Sequence, residues 1–317
     1  MTFSAVLYAE SGERLFPGTP VSFSLIHSTD TPIASLKIIF GDEDLFSRGI
    51  AGIDGFLGDT FIFSGLVDEQ ELLINAAGRW VTLTCRSRAA LLCDNEALPA
   101  QYLETGIDSI FERHVRPYGF SEMRVSRQPP LPSFLVAKGD SELDVLARFC
   151  LLSGYPSPRF TPDGCLILTD PKGQSSWQVS NTAKGAIPFL SVSKKLARHT
   201  CISEIYLKNH DGIYCTVIEN PHAIAHGIRR RRYLAPAREW AMRDDLDAKR
   251  RIRSSMYNRL LVEAELPGLY GVSLYDQVLL CYDGMFEKSY LVLGYKLQRN
   301  AQGDSTTVVL TEPDYLL

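Results

Sequence analysis

Apolar and polar residues alternate through much of the first 88 positions. Phe3–Ala9, Val21–His27, Ser35–Phe40, Thr60–Leu66, Glu71–Asn75 and Trp80–Cys85 predict short strands, most of them with one face in a core. Between them stand Ser11-Gly12, Phe16-Pro17-Gly18, Gly41-Asp42-Glu43-Asp44 and Ala77-Gly78, all combinations that favour turns. Strands at this spacing predict a small barrel or sandwich. The glycines Gly49, Gly52 and Gly55 predict a flexible loop, because their spacing misses the dinucleotide fingerprint and no helix follows.

At Ser87 the pattern changes. Arg88–Leu92 starts a helical turn, and Thr105 is placed to cap a helix carrying Ile107, Ile110 and Phe111, which Pro117-Tyr118-Gly119 ends. Ser141, with Asp144 three residues on, predicts a capping box. It opens a helix whose buried face is Leu143, Leu146, Ala147 and Cys150 and which Gly154 closes. The Asp163-Gly164 turn then joins Pro158–Thr161 to Cys165–Thr169, and Pro129–Pro132 reads as an extended connector. Pro171–Pro188 is polar and reads as a linker. Strands resume at Ile202–Leu207 and Tyr214–Ile218, joined by a turn at Asn209–Gly212.

In Arg238–Glu263, Ile252, Met256 and Leu260 recur every fourth position, which predicts one long polar helix with a narrow apolar stripe. Glu265-Leu266-Pro267-Gly268 is read as its stop. Gln277–Tyr282, an Asp283-Gly284 turn, Lys288–Arg299, a turn at Asn300–Asp304 and Thr306–Thr311 predict a closing meander of three strands. The expected fold is mainly β with an α+β insert. It divides into a β-barrel at 1–88, an α+β domain at 89–171 and a linker and return segment at 172–200. A second β-barrel with its helix at about 238–263 fills 201–317.

The composition is that of an ordinary globular protein, 45% hydrophobic and 22% charged over 317 residues. A net charge of -4 argues against bulk nucleic-acid binding. Met1–Glu10 lacks a basic start and a long apolar stretch, and no run approaches the roughly 20 apolar residues of a membrane span. Folding in a cytosol, with no membrane anchor, is therefore expected. Seven dispersed cysteines without a C-x-x-C pair read as buried reduced thiols.

Candidate chemistry is sparse. Gly271-Val272-Ser273-Leu274-Tyr275 lacks the last glycine of a nucleophile elbow. His222 and His226 have metal-ligand spacing on a helix, yet no third ligand stands near them, so two histidines in a connector is the preferred reading. The paired carboxylates Asp42/Glu43/Asp44, Glu142/Asp144 and Asp244/Asp245 lack the aromatic flanks of a sugar-cleaving site and read as solvated. Arg229, Arg230, Arg231 and Arg232 form the one local charge extreme. They face either a partner or channel surface, or the acidic helix residues Asp244, Asp245 and Asp247.

Three blocks carry a family resemblance. Phe61-Ile62-Phe63-Ser64-Gly65-Leu66-Val67 is the first. Thr82–Asp94, containing Arg86-Ser87 and Leu92-Cys93-Asp94, is the second. The third is the C-terminal helix, the Leu266-Pro267-Gly268 exit and the meander ending in Thr307–Pro313. In this order they resemble the baseplate hubs of contractile phage tails: the Mu-type hub, the late control protein D group, the T4 hub and the spike bases of type VI secretion. The resemblance implies a homotrimer in which each subunit gives two small β-barrels to a pseudo-sixfold ring, with a hexameric tail tube above and a trimeric spike below. It implies no cofactor, no metal and no catalysis. It further implies no specific nucleic-acid binding, and a place in the virion tail baseplate or a tail-like particle assembled in the bacterial cytoplasm. The chain ends soon after its last predicted strand, so wall-degrading activity is expected of another protein. A cell-wall hydrolase of the tail, or a host-binding tip protein of a long flexible tail, is the competing expectation.

Overall fold

A computed structural model of the chain describes residues 1–76, 78–235, 244–257, 259–282 and 288–313. The first β unit holds β1 (Phe3–Ala9), β2 (Arg14–Leu15), β3 (Ser22–Ser28), β4 (Thr31–Phe40), the short helix α1 (Asp44–Ser47), β5 (Ile50–Leu57), β6 (Thr60–Asn75) and β7 (Gly78–Ser87). Six of the strands run antiparallel in the order β3-β4-β7-β6-β5-β1, with the two-residue β2 beyond β1. The alternation along β1 puts Phe3, Ala5, Leu7 and Ala9 inside. Phe3 and Phe23, on the first and last strands of this order, stack with centroids 4.2 Å apart, so the sheet has curled into a barrel around one core.

Two expectations fail here. The stretch from Gly49 to Gly55 is mostly β5, not a loop. Gly52 and Gly55 are the positions where neighbouring side chains, Tyr8 at one and Phe3 and Phe63 at the other, lie against the strand. Thr60–Leu66 and Glu71–Asn75 are one strand, whose alternation is broken by a register shift between Val67 and Glu69.

The α+β unit comprises α2 (Ala90–Asp94), β8 (Ala100–Thr105), α3 (Ile107–His114), β9 (Glu122–Val125), β10 (Leu131–Val136), α4 (Glu142–Ser153), β11 (Arg159–Phe160) and β12 (Cys165–Leu168). The capping box is present: Ser141 Oγ accepts from Asp144 N, and Asp144 Oδ2 accepts from Ser141 N. Gly154 ends α4 in the left-handed region at φ 80°. Leu146 and Cys150 are buried as expected, together with Val145 and Phe149. Thr105 is not a cap. It is the last residue of β8, paired with Leu131, and Gly106 stands at the cap of α3. Half of the expected Pro129–Pro132 connector lies before β10, and Leu131 and Pro132 begin that strand.

The Arg86–Asp94 block is the clamp between this unit and the barrel. The Arg86 guanidinium forks onto Asp68 at the β6 irregularity and onto Asp94 at the end of α2, with all four contacts between 2.7 and 3.0 Å. Its presence holds the Asp94 carboxyl below the usual carboxylate range. Ser87 Oγ accepts from Ala34 N, and Leu92 is fully buried.

The second β unit uses β13 (Ser176–Ser180), β14 (Ser191–Leu196), β18 (Leu260–Pro267), β19 (Gln277–Cys281), β20 (Lys288–Asn300) and β21 (Gly303–Thr311). Their order is β14-β18-β21-β20-β19-β13, antiparallel except for the β13–β19 pair. Closure comes from the chain between β13 and β14. Ile187 bridges to Val179 of β13, and Leu190 N donates to Glu265 O of β18 at 2.7 Å. The expected linker thus contains two strands and the closing segment. Its polarity reflects the outward faces of short strands, while Val179 is fully buried.

The expected helix over 238–263 is a correction. Helix α6 runs Asp244–Tyr257, and 238–243 lie outside the described residues, as does the Asp283-Gly284 turn. From Leu260 the chain is strand: Leu260, Val262, Ala264 and Leu266 point inward at period two, between β14 and β21. Pro267-Gly268 therefore ends a strand. The three-stranded meander β19-β20-β21 is present.

Leu196 and Leu260 are register partners, so 197–259 leave and return between adjacent strands. This excursion carries β15 (Glu204–Lys208), β16 (Tyr214–Glu219), α5 (Pro221–Ala225), β17 (Arg231–Leu234) and α6. Helix α6 lays Ala248 and Ile252 on Ile205 and Leu207, and Met256 on Cys201 and Ala223. The fold is mainly β, two small barrels with an α+β insert, and β20 fuses the barrels. Its first residues pair with β19, while Gly294–Arg299 pair with Ser28–Phe23 of β3, giving a single sheet of 13 strands among the described residues.

Candidate functional site

The junction of the barrels is one candidate site. At its middle, Tyr295 of β20 faces His27 of β3, with Tyr295 Oη 3.5 Å from His27 Nδ1. Burial lowers His27 to about 4 and raises Tyr295 to about 12, so both rings are neutral near pH 7. Gly294 is the close approach that lets the strands meet, since a Cβ there would stand 3.2 Å from His27 O.

The four consecutive arginines do not act as one block. Arg229 and Arg230 precede β17, and Arg231 and Arg232 open it. Arg231 Nε donates to Glu204 Oε2 at 3.0 Å, and its guanidinium carbon stands 4.8 Å from the Tyr206 ring centre. The carboxylates expected to neutralise the run bind elsewhere: Asp245 takes Lys249 and Asp247 takes Arg251, one helical turn on. The Asp244 side chain lies outside what the structure describes. Arg229 and Arg230 instead line a cleft of about 620 Å³ with Arg198, His199, His226 and Arg259. No local pattern marks Arg198 and Arg259 as its members, because β14 and β18 carry them there.

His222 and His226 stack at 4.3 Å, with His222 Nε2 bonded to Arg259 Nη1. No metal-holding cluster occurs among the described residues. Asp44 opens α1 on the surface, Glu43 pairs with Arg79, and Asp144 is spent in its capping box. Glu142, expected to be solvated, is a correction. It is buried, with Oε2 2.5 Å from His114 Nδ1 and Oε1 accepting from Tyr118 Oη at 3.1 Å. Tyr102 Oη, 2.8 Å from His114 Nε2, completes the network. The signal in the sequence is His114 at the seventh position after Ile107, on the apolar stripe of α3. No helix among the described residues is long and apolar enough to cross a membrane.

No family model and no curated protein matches the sequence. Solved structures do. A tail protein from Neisseria meningitidis MC58 aligns with TM-score 0.79 and 14% identity, covering 100% of this chain and 98% of that one. The 43 kDa tail protein of prophage MuSo2 from Shewanella oneidensis aligns with TM-score 0.79 and 14% identity, covering 99% and 100%. The chain has the fold of these tail proteins. An E. coli component of the type VI secretion system, itself similar to the T4 tail proteins gp27 and gp5, aligns with TM-score 0.61 and 11% identity, covering 92% and 73%. At such low identity the likeness is one of fold, carried by the pattern of strands and buried positions.

Proposed function

We propose that this chain is the structural hub of a contractile phage tail or tail-like particle. It would assemble as a homotrimer whose six barrels form a ring between the hexameric tail tube and the trimeric spike. The observation that carries the reading is the pairing of two six-stranded barrels through β20 and β3. One subunit then offers two similar faces in a fixed relation, and three subunits offer six. Matching sixfold to threefold symmetry needs that arrangement and needs no cofactor or tuned acid–base pair. Exposed apolar side chains at the far end of the β6–β7 hairpin, Leu73 at 47% and Ile74 at 59%, suit burial against another chain. Of the Arg229–Arg232 run, Arg231 and Arg232 at the start of β17 would lie toward a partner or the channel, with Arg229 and Arg230 in the cleft beside them. In this reading the protein is no enzyme, and it works in the tail baseplate after assembly in the bacterial cytoplasm.

Mass in solution, followed by imaging with purified tube and spike proteins, tests the proposal. A trimer or trimeric ring is expected. A strict monomer at high concentration, with no ring on adding tube or spike, would overturn it.

A further inference from the structure

The cleft that receives Arg229 and Arg230 is built from three separate stretches of chain. Arg198 and His199 follow β14, the segment from His226 to Arg230 joins α5 to β17, and Arg259 precedes β18. Among the described lining residues there is no carboxylate, and Ile228 is the one large apolar side chain.

Several arginines elsewhere in the protein are neutralised. Arg86, Arg148, Arg231, Arg251 and Arg299 each sit on a carboxylate. Among the described residues Arg198, Arg229 and Arg230 have no ion-pair partner, and Arg230 Nη1 is buried without a hydrogen bond. That geometry is held in place. Arg230 N donates to Ser203 Oγ at 2.7 Å, and Arg230 O accepts from Ser203 N at 2.9 Å. The guanidinium groups of Arg198, Arg229 and Arg230, gathered without an ion-pair partner among the described residues, repel one another, and a buried donor left unmade costs about 1–3 kcal/mol. Both penalties vanish if an oxyanion enters, since the guanidinium fork matches the oxygens of a phosphoryl group.

The lining also selects the kind of anion. Protein partners anchor through apolar and aromatic side chains, and this cleft offers almost none. Single-stranded nucleic acid is held by a long basic groove with aromatic stacking platforms, and no aromatic residue lines the cleft apart from its histidines. We propose that the cleft binds a compact polyanion with two or more adjoining phosphoryl groups, inorganic or at the end of a nucleotide. The proposal is independent of the tail role.

Titration calorimetry of the full chain at low ionic strength tests it, with inorganic pyrophosphate and ADP as probes and sodium chloride matched throughout. Saturable binding at one site is expected. It should weaken at least ~10-fold in the double variant Arg229→Ala/Arg230→Ala and in Arg230→Lys, which keeps the charge and loses the fork. Arg127→Ala, which removes an exposed arginine from the α+β unit, should leave it unchanged. Comparable binding of ADP and pyrophosphate means that the phosphoryl groups alone are read, whereas tighter ADP binding means a terminal diphosphate. If the double variant melts early, Arg198→Ala at the exposed lip takes its place and should weaken binding in the same direction. No saturable binding at millimolar pyrophosphate would overturn the proposal, as would equal weakening by Arg127→Ala. Tighter capture of a short oligothymidine or a glutamate-rich peptide by the same arginines would also overturn it.

Discussion

His27 and Tyr295 are Cα partners across the strand pair that joins the two barrels, their rings edge-on with centroids 5.8 Å apart. The lowered histidine gives this junction a pH dependence whose sign follows directly. In the unfolded chain the imidazole takes up its proton near 6.5, and in the fold it does so only near 4. Above 6.5 neither state carries the proton, and stability is at its full value. As pH falls toward 4 the unfolded state binds the proton first and is favoured, by up to about 3 kcal/mol. Melting temperature should therefore fall across this window more steeply in the natural protein than in His27→Gln, which cannot charge. Parallel curves for the two proteins would refute the assignment.

Gly65 explains why the first family-like block contains a glycine. A Cβ there would stand 2.3 Å from Arg86 O and 2.7 Å from the Phe63 ring. The first neighbour is backbone of β7, so relief requires the β6–β7 pair to separate. Gly65→Ala is expected to cost about 2–4 kcal/mol in denaturant unfolding. Gly58, in an open turn at φ 58°, should cost about 1 kcal/mol or less when changed to Ala. Equal losses at the two positions would contradict the steric account.

Asp276 is fully buried and ties together the starts of the parallel strands β13 and β19. Its Oδ1 accepts from Gln174 N at 2.8 Å and Ser175 N at 2.9 Å. Its Oδ2 accepts from Ser273 N at 2.9 Å and Trp177 Nε1 at 3.1 Å. Asp276→Ala would strand four donors and is expected to cost about 3–5 kcal/mol. Asp276→Asn, able to accept at one oxygen only, should lose less than Ala but clearly more than a surface substitution. Hydrogen exchange of the Gln174 and Ser175 amides would report the loss locally, and unchanged protection in Asp276→Ala would refute it.

What could be read from sequence follows from the range of the forces involved. Strand Phe3–Ala9, the Ser141 capping box and the closing meander are fixed by neighbours a few residues apart, and all three are present. Strand Ile50–Leu57 was hidden because its glycines serve side chains from β1 and β6. The end of α6 was hidden because Leu260 continues the helical stripe of Ile252 and Met256 while starting the period-two run of β18. The barrel junction and the basic cleft join residues far apart in the chain, His27 and Tyr295 being 268 positions apart. No local pattern encodes such a pairing. The run from Arg229 to Arg232 was visible, but the other half of its cleft was not.

The last prediction concerns the buried network of the α+β unit. His114 holds Glu142 through Nδ1 and Tyr102 through Nε2, and Glu142 also takes the Tyr118 hydroxyl. Removing one partner leaves the other buried and unsatisfied, so His114→Leu and Glu142→Met are each expected to cost about 3–5 kcal/mol. Replacing both with apolar groups of similar volume removes the polar burden as well as the contact. The double variant should therefore lose well below the sum of the single losses, with a coupling energy of about 1–3 kcal/mol. A second readout separates the network from packing alone. Burial and the bond to Glu142 make the Tyr118 hydroxyl a weaker acid, so Glu142→Gln should lower the pH at which it ionises, followed by its ultraviolet absorbance. Strictly additive losses, with Tyr118 unmoved, would mean that these side chains stand side by side without holding one another.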